Sequence, residues 1–192
     1  MKKMKIAIAG YRGFIGTNFI KDHPEWEYIR LGREVLYGDP MDLGKIIGEA
    51  KIVVNLAGYP INKRWTSENR RKIYMSRYGV NRNLVLAING LEKKPVLFIT
   101  ASAIGIYGNK GVHDEQDCIP GRSFLTTVVQ QWEEPLESLD QEVKGTILRF
   151  GVVLGKEAGA MVPFLKSAKF GIAPVMGSGK QMFSFVHIRD LT

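Results

Sequence analysis

The chain has 192 residues, a net charge of +8 and 45% hydrophobic residues, which suits one sizeable core and a single domain over residues 1–192. It has no run near the roughly 18 apolar residues of a membrane span, and its basic start, Met1-Lys2-Lys3-Met4-Lys5, reaches Gly10-Tyr11-Arg12 too soon for a signal peptide. The lone Cys118 excludes an internal disulfide and fits a reducing cytoplasm; the charge comes without any helix-turn-helix, zinc or RNA-binding signature, so neither nucleic acid nor membrane is an expected partner.

Residues 5–9 read as a first strand. The chain then runs Gly10-Tyr11-Arg12-Gly13-Phe14-Ile15-Gly16 into a helix over 13–22. Strand, tight turn and helix N-terminus in that order cradle a dinucleotide pyrophosphate. Gly10 takes the angles of the turn, Gly13 leaves room for phosphate, and Gly16 lets the helix pack close. Residues 26–31 form a second strand, 41–49 a short helix and 52–56 a third strand. A long helix covers 67–89. Around it Lys63, Arg64, Arg70, Arg71, Lys72, Arg77 and Arg82 face only Glu68, a solvated face from which one or two cations reach an anionic ligand. Residues 95–100 are a fourth strand, a loop rich in glycine and acid runs to Arg122, 123–140 are helical, and 145–150 are a fifth strand. Strands alternating with helices give an α/β doubly wound parallel sheet with helices on both faces, a Rossmann fold. The end, Phe183 to Thr192, reads as a strand entering a helix with Asp190 near its cap; the chain stops there, as though more followed.

Further motifs come in a set order: Val54-Asn55-Leu56-Ala57-Gly58, Arg64-Trp65-Thr66, Ser76-Arg77, Ala101-Ser102-Ala103-Ile104-Gly105-Ile106-Tyr107-Gly108, Trp132-Glu133, Leu148-Arg149-Phe150-Gly151-Val152-Val153-Leu154-Gly155, Gly177-Ser178-Gly179-Lys180-Gln181 and Val186-His187-Ile188-Arg189-Asp190-Leu191. With the glycine turn, they resemble the atypical short-chain dehydrogenase/reductases known as epimerase family proteins or nucleoside-diphosphate-sugar epimerase homologues. Some of these carry a cell-division-inhibitor label. Members run about a hundred residues further into a small C-terminal domain, so the resemblance implies a substrate-capping part beyond Thr192. It also implies bound NADP(H). The residues agree independently: the second strand ends Leu31-Gly32-Arg33, where NAD-preferring domains carry an acid, and a guanidinium pairs with a 2′-phosphate. NAD(H) is the less favoured cofactor, with Glu34 the residue that would rescue it by turning inward. The resemblance also brings Leu56, Ala57 and Gly58 past the adenosine ribose and pyrophosphate, Arg77 near the cofactor, and Val153 to the nicotinamide end.

Active members of the wider superfamily pair Ser or Thr with Tyr-x-x-x-Lys, whose lysine readies the tyrosine for proton exchange. Ser102 stands at the serine position. Anchored on Glu133, Leu125 replaces the tyrosine and Val129 the lysine, and no tyrosine follows Tyr107. The string Tyr59-Pro60-Ile61-Asn62-Lys63 matches only by coincidence, in a loop. Tyr107 is the best local substitute; His113 with Asp114 is weaker. Phe183 stands where sugar-nucleotide enzymes carry a diphosphate-gripping arginine. Met161, Phe164, Phe170, Met176 and Phe185 then supply either an apolar substrate wall or core packing. Exposure around Phe164, Phe170 and Phe183 would favour a homo-oligomer. No metal is expected. Two readings stay open: an NADP(H)-dependent oxidoreductase or epimerase-like enzyme acting on a carbinol or carbonyl, with Ser102 polarising the oxygen, and a non-catalytic NADP(H)-binding, redox-responsive interaction protein.

Overall fold

In the computed structural model the described residues are 3–108, 111–116, 119–156, 161–173, 175 and 178–192; Cys118 and Met176 lie outside them. Five strands, β1 (Lys5–Ala9), β2 (Glu27–Leu31), β3 (Ile52–Asn55), β4 (Leu97–Ala103) and β5 (Lys144–Phe150), form one sheet in the order β2-β1-β3-β4-β5. Every pairing is parallel, as the doubly wound reading requires. The order reverses between β1 and β3, and the carboxyl ends of these strands open the crevice where such sheets bind ligands.

Alternation along each strand divides the core between two faces. Ala7, Ala9, Leu31, Val53 and Phe98 pack with Leu43 and Ile47 of α3 (Pro40–Ile47) and with Val80, Leu84, Val85 and Ile88 of α5 (Val80–Asn89). Ile6, Ile8 and Val54 turn the other way, toward Phe19 and Ile20 of α1 (Phe14–Asp22) and toward Trp26 and Tyr28. Full burial of each large aliphatic side chain stabilises the sheet by about 1.5–3 kcal/mol.

Several elements depart from the sequence reading. A single turn, α2 (Arg33–Leu36), follows β2 directly. The long helix is interrupted: α4 (Ser67–Tyr74) passes through a π-turn at Met75–Gly79 into α5. The extra residue turns Ser76 and Arg77 toward the loop after β3, where Ser76 Oγ accepts from the Tyr59 N–H at 2.9 Å and Arg77 Nη1 donates to the Tyr59 carbonyl at 3.0 Å. The helix expected over 123–140 is α6 (Phe124–Glu133) followed by a 3₁₀ turn at Glu134–Ser138. Ser123 caps it, its Oγ accepting from Thr126 N at 3.1 Å, and Pro135, without an N–H, ends the α-helical ladder.

Two short parallel strands, β6 (Val152–Leu154) and β7 (Phe185–His187), form a second sheet. Between them lies α7 (Met161–Ala168). The final α8 (Ile188–Leu191) is capped by His187, whose Nδ1 accepts from Arg189 N at 3.3 Å. Asp190 lies near the cap as expected, in the first turn three residues past His187, where a carboxylate suits the positive end of the helix. The chain end returns to α1, with Thr192 Oγ1 donating to Asp22 Oδ2 at 2.6 Å.

Candidate active site

The N-terminus of α1 is open. Gly13 caps it without a side chain, and no acidic residue stands in the first turn. The N–H groups of the first turn have no acceptor within the helix and are free for an anion. Gly10 sits at φ +77°, and a Cβ there would lie 2.5 Å from both the carbonyl carbon and the oxygen of Leu56. A Cβ on Gly16 would lie 2.5 Å from the Gly10 oxygen. The helix thus packs against the turn itself, closer than any side chain permits. A cavity of about 300 Å³ opens at this point, lined by Gly10, Gly13, Phe14, Ile15, Gly16, Leu56, Val152 and Val153. All but Val152 are residues the sequence assigned to the cofactor. Tyr11 and Arg12 lie on the same turn, with the Arg12 guanidinium 5.3 Å from the Tyr11 ring centre.

A second group gathers beside β2 and β3. Arg33 is exposed at the first residue of α2, one turn before Tyr37, whose N–H donates to the Arg33 carbonyl at 3.2 Å. Asn83 of α5 ties this turn down through the carbonyls of Leu36 and Gly38, each at 3.1 Å. Arg77 lies over the Trp132 ring at 4.9 Å and donates Nη1 to the carbonyls of Tyr59 and Ile73. A Cβ on Gly58 would lie 3.3 Å from Arg77 Nη2, so the guanidinium presses on the backbone that follows β3. Burial pushes the Arg77 guanidinium down to about 10, and among the described residues no carboxylate pairs with it. The Tyr37 phenol is raised by burial, while the charges of the nearby Arg33 and Arg77 pull the other way. Tyr37 was not foreseen; a tyrosine at the end of a four-residue helix carries no sequence signal.

At the end of β4 lie the two residues expected to stand where the usual acid/base pair would be. Leu125 and Val129 face Gly105, whose added Cβ would meet Val129 Cγ2 at 3.8 Å and Leu125 Cβ at 3.9 Å. Their alignment with Tyr and Lys places two apolar side chains, one helical turn apart, over this loop. Tyr59 and Lys63 lie outside any helix, and Tyr59 Oη donates to Asn69 Oδ1 at 3.2 Å. Ser102 is buried and donates its hydroxyl to Glu133 Oε1. A serine has one proton to give, so this arrangement withholds it from a substrate oxygen. Glu133 also accepts from Arg149 Nε at 2.9 Å and from Nη2 at 2.7 Å, a fork-to-fork pair with side chains only 11% and 23% exposed. Arg149 Nη1 donates to Tyr107 Oη at 3.2 Å. These bonds hold the Arg149 guanidinium above its ordinary value, the Glu133 bond first. His113 stacks on Tyr107 at 5.6 Å with its Nε2 buried and, among the described residues, without a partner, while Asp114 Oδ1 accepts from Gln116 N at 2.9 Å.

Glu133 and Arg149 were quoted in motifs without a role. The signal was available for Arg149, a lone charge late in an apolar strand. The aromatic segment is not core: Phe170 is 82%, Phe183 47% and Phe185 61% exposed. Among the described residues no group of three His, Cys, Asp or Glu is placed to hold a metal ion, and no helix is long and apolar enough to cross a membrane.

A family model described as NAD dependent epimerase/dehydratase matches residues 6–192. The chain belongs to that family. Within it, the chain is similar to the Arabidopsis thaliana "Epimerase family protein SDR39U1 homolog, chloroplastic", 31% identical over 98% of this chain and 60% of the relative. It is also similar to epimerase family protein SA0724 of Staphylococcus aureus, 32% identical over 77% of this chain and 50% of the relative. The chain therefore spans about half to three-fifths of these relatives' length. Among solved structures, human epimerase family protein SDR39U1 (isoform 2) with NADPH superposes with a TM-score of 0.87 at 27% identity, over 98% of this chain and 67% of the other. UDP-glucuronic acid 4-epimerase from Bacillus cereus superposes with a TM-score of 0.77 at 21% identity, covering 98% of this chain and 70% of the other, a likeness of fold. The α1 N-terminus without a side-chain cap, the close-packed glycine turn and the cavity beside them fit the dinucleotide that the family name implies.

Proposed function

We propose that this chain binds NADP(H) in preference to NAD(H) and belongs to an oxidoreductase or epimerase-like enzyme acting on a carbinol or carbonyl carbon. The observation that carries the reading is the open N-terminus of α1 facing a cavity walled on its far side by Val152 and Val153. The first-turn N–H groups and the Gly10–Gly16 turn would hold the pyrophosphate. Arg33 would take the 2′-phosphate, with Arg77 as a second cation whose charge, costly to bury alone, gains an anionic partner. The NADPH bound to the human relative supports the same preference. When bound, a reduced nicotinamide supplies hydride. The chain must then supply or remove a proton, and Tyr107 is the residue we assign to it. Ser102, engaged by Glu133, serves as a positioning residue.

Replacing Arg33 with Ala should weaken NADPH by on the order of 1.5–3 kcal/mol, the size of a charged hydrogen bond, and leave NADH nearly unchanged. Fluorescence titration of both nucleotides checks this; equal losses would remove Arg33 from the 2′-phosphate. A carbonyl panel with NADPH then separates the two functional classes. Consumption of NADPH supports the enzyme. Tight binding with no consumption by any member supports a non-catalytic, redox-responsive binder, the reading that the missing Tyr-x-x-x-Lys favours.

A further inference from the structure

The register of β4 and β5 sets Ser102 opposite Arg149, and paired residues of neighbouring strands share a face. Glu133, from the last residue of α6, comes down onto both. Tyr107, just past β4, closes the chain of bonds on the far side of Arg149. The four residues come from β4, α6, β5 and the loop after β4, at the carboxyl edge of the sheet. Val152 and Val153 of the cofactor cavity follow Arg149 within the same stretch of chain. A surface ion pair would need none of this arrangement. Here a carboxylate receives both arms of a guanidinium and a serine hydroxyl, and the guanidinium still keeps Nη1 for a phenol.

We propose that Arg149 and Tyr107 do the work of the absent lysine and tyrosine, with Glu133 as the residue that positions Arg149. This rests on the NADP(H) reading above and deepens it. In the reducing direction the Tyr107 O–H bond breaks and its proton passes to the substrate oxygen. The carbon of that carbonyl takes the hydride that NADPH supplies, and the carbonyl π pair moves onto oxygen. The phenolate left behind is held by Arg149 Nη1 and regains a proton from water; the oxidising direction reverses each transfer. Among the described residues three charged or titratable groups lie about the phenol: Arg149 at its oxygen, Glu133 beyond the guanidinium, and His113 stacked on its ring. The geometry explains why α6 can carry Leu125 and Val129 where proton-transfer groups stand elsewhere: the phenol arrives from the β4 loop and its cation from β5.

The test labels the chain with 3-fluorotyrosine and assigns the Tyr107 resonance by its loss in Tyr107→Phe. Added NADPH should move that resonance, and Glu133→Gln should move it without nucleotide, by freeing Arg149. With any carbonyl that the panel shows to be reduced, Tyr107→Phe should lower turnover by about 100-fold or more, the usual share of general acid catalysis. Arg149→Met should lower turnover as well, and Arg149→Lys, which keeps a cation, should restore most of it. A merely structural ion pair would change stability without moving the Tyr107 fluorine resonance, and lysine would not restore turnover. NADPH that binds without moving the resonance overturns the proposal, as does full turnover in Tyr107→Phe; in either case the cofactor reading stands. A flat nucleotide titration would remove the cofactor reading and this proposal with it.

Discussion

Alanine at Gly10 should destabilise the chain by on the order of 2–5 kcal/mol and abolish NADPH binding. Two terms add. A left-handed backbone costs a residue with a Cβ about 1–2 kcal/mol, and Gly10 sits at φ +77°. Overpacking adds about 1–3 kcal/mol, because the new Cβ meets main-chain atoms of Leu56 and Ala57 at 2.5–2.8 Å and no rotamer moves a Cβ. Gly16→Ala should carry the second term alone, against the Gly10 oxygen. Gly13→Ala, with its nearest atom at 3.1 Å, should cost less, and Gly32→Ala least, since nothing beyond its chain neighbours lies within 4 Å of its Cβ and only its place as the cap of α2 favours glycine over alanine. Urea midpoints of the four variants, read beside NADPH titrations, check this order. A Gly10→Ala midpoint equal to that of Gly32→Ala would show that the turn is not the tight crossing described.

Those glycines also show what a sequence can disclose. The β1–turn–α1 unit is written locally, in an apolar strand, fixed glycine spacing and a helix start, so it could be read before any contact was known. The same holds for β3 and β5, where apolar runs end in turn residues. The π-turn at Met75–Gly79 could not be read, because one inserted residue leaves the apolar spacing of a long helix nearly intact. The three-residue strand β6 is too short to show a period of two, whereas β7 could be read because it runs straight into a helix start. The site divides in the same way. Gly10, Leu56 and Val153 follow from position along the chain. The Glu133–Arg149 pair depends on where α6 crosses β5, and the tie between Ser102 and Glu133 depends on the β4–α6 packing; neither is local. Ser102 in particular was legible as a residue but not as a role, since the carboxylate that accepts its hydrogen bond lies 31 positions away.

A second substitution tests the link between fold and site. Asn81, on α5, is fully buried. Its Oδ1 accepts from Asn55 Nδ2 at 2.7 Å and from Thr100 Oγ1 at 2.9 Å, and its Nδ2 donates to the Trp132 carbonyl at 2.7 Å. One side chain thus joins β3, β4 and α6. Asn55 in turn holds the chain after β3, its Oδ1 accepting from Ala57 N at 3.0 Å, and Trp132 immediately precedes Glu133. Asn81→Leu keeps the volume but takes this partner from Asn55 Nδ2 and the Trp132 carbonyl, while Thr100 Oγ1 keeps the Ala101 carbonyl at 3.3 Å. At about 1–3 kcal/mol for each of the two groups left unsatisfied, the loss should be on the order of 2–6 kcal/mol, a large part of the roughly 5–15 kcal/mol that holds a domain folded. Thr100→Val removes a single donor and should cost only about 1 kcal/mol. Urea denaturation compares the two; a loss in Asn81→Leu no larger than in Thr100→Val would show that Asn81 does not tie the three elements together. Where Asn81→Leu still folds, its NADPH affinity should fall and its Tyr107 fluorine resonance should shift together, because the backbone turn after β3 and the C-terminal end of α6 hang on the same side chain.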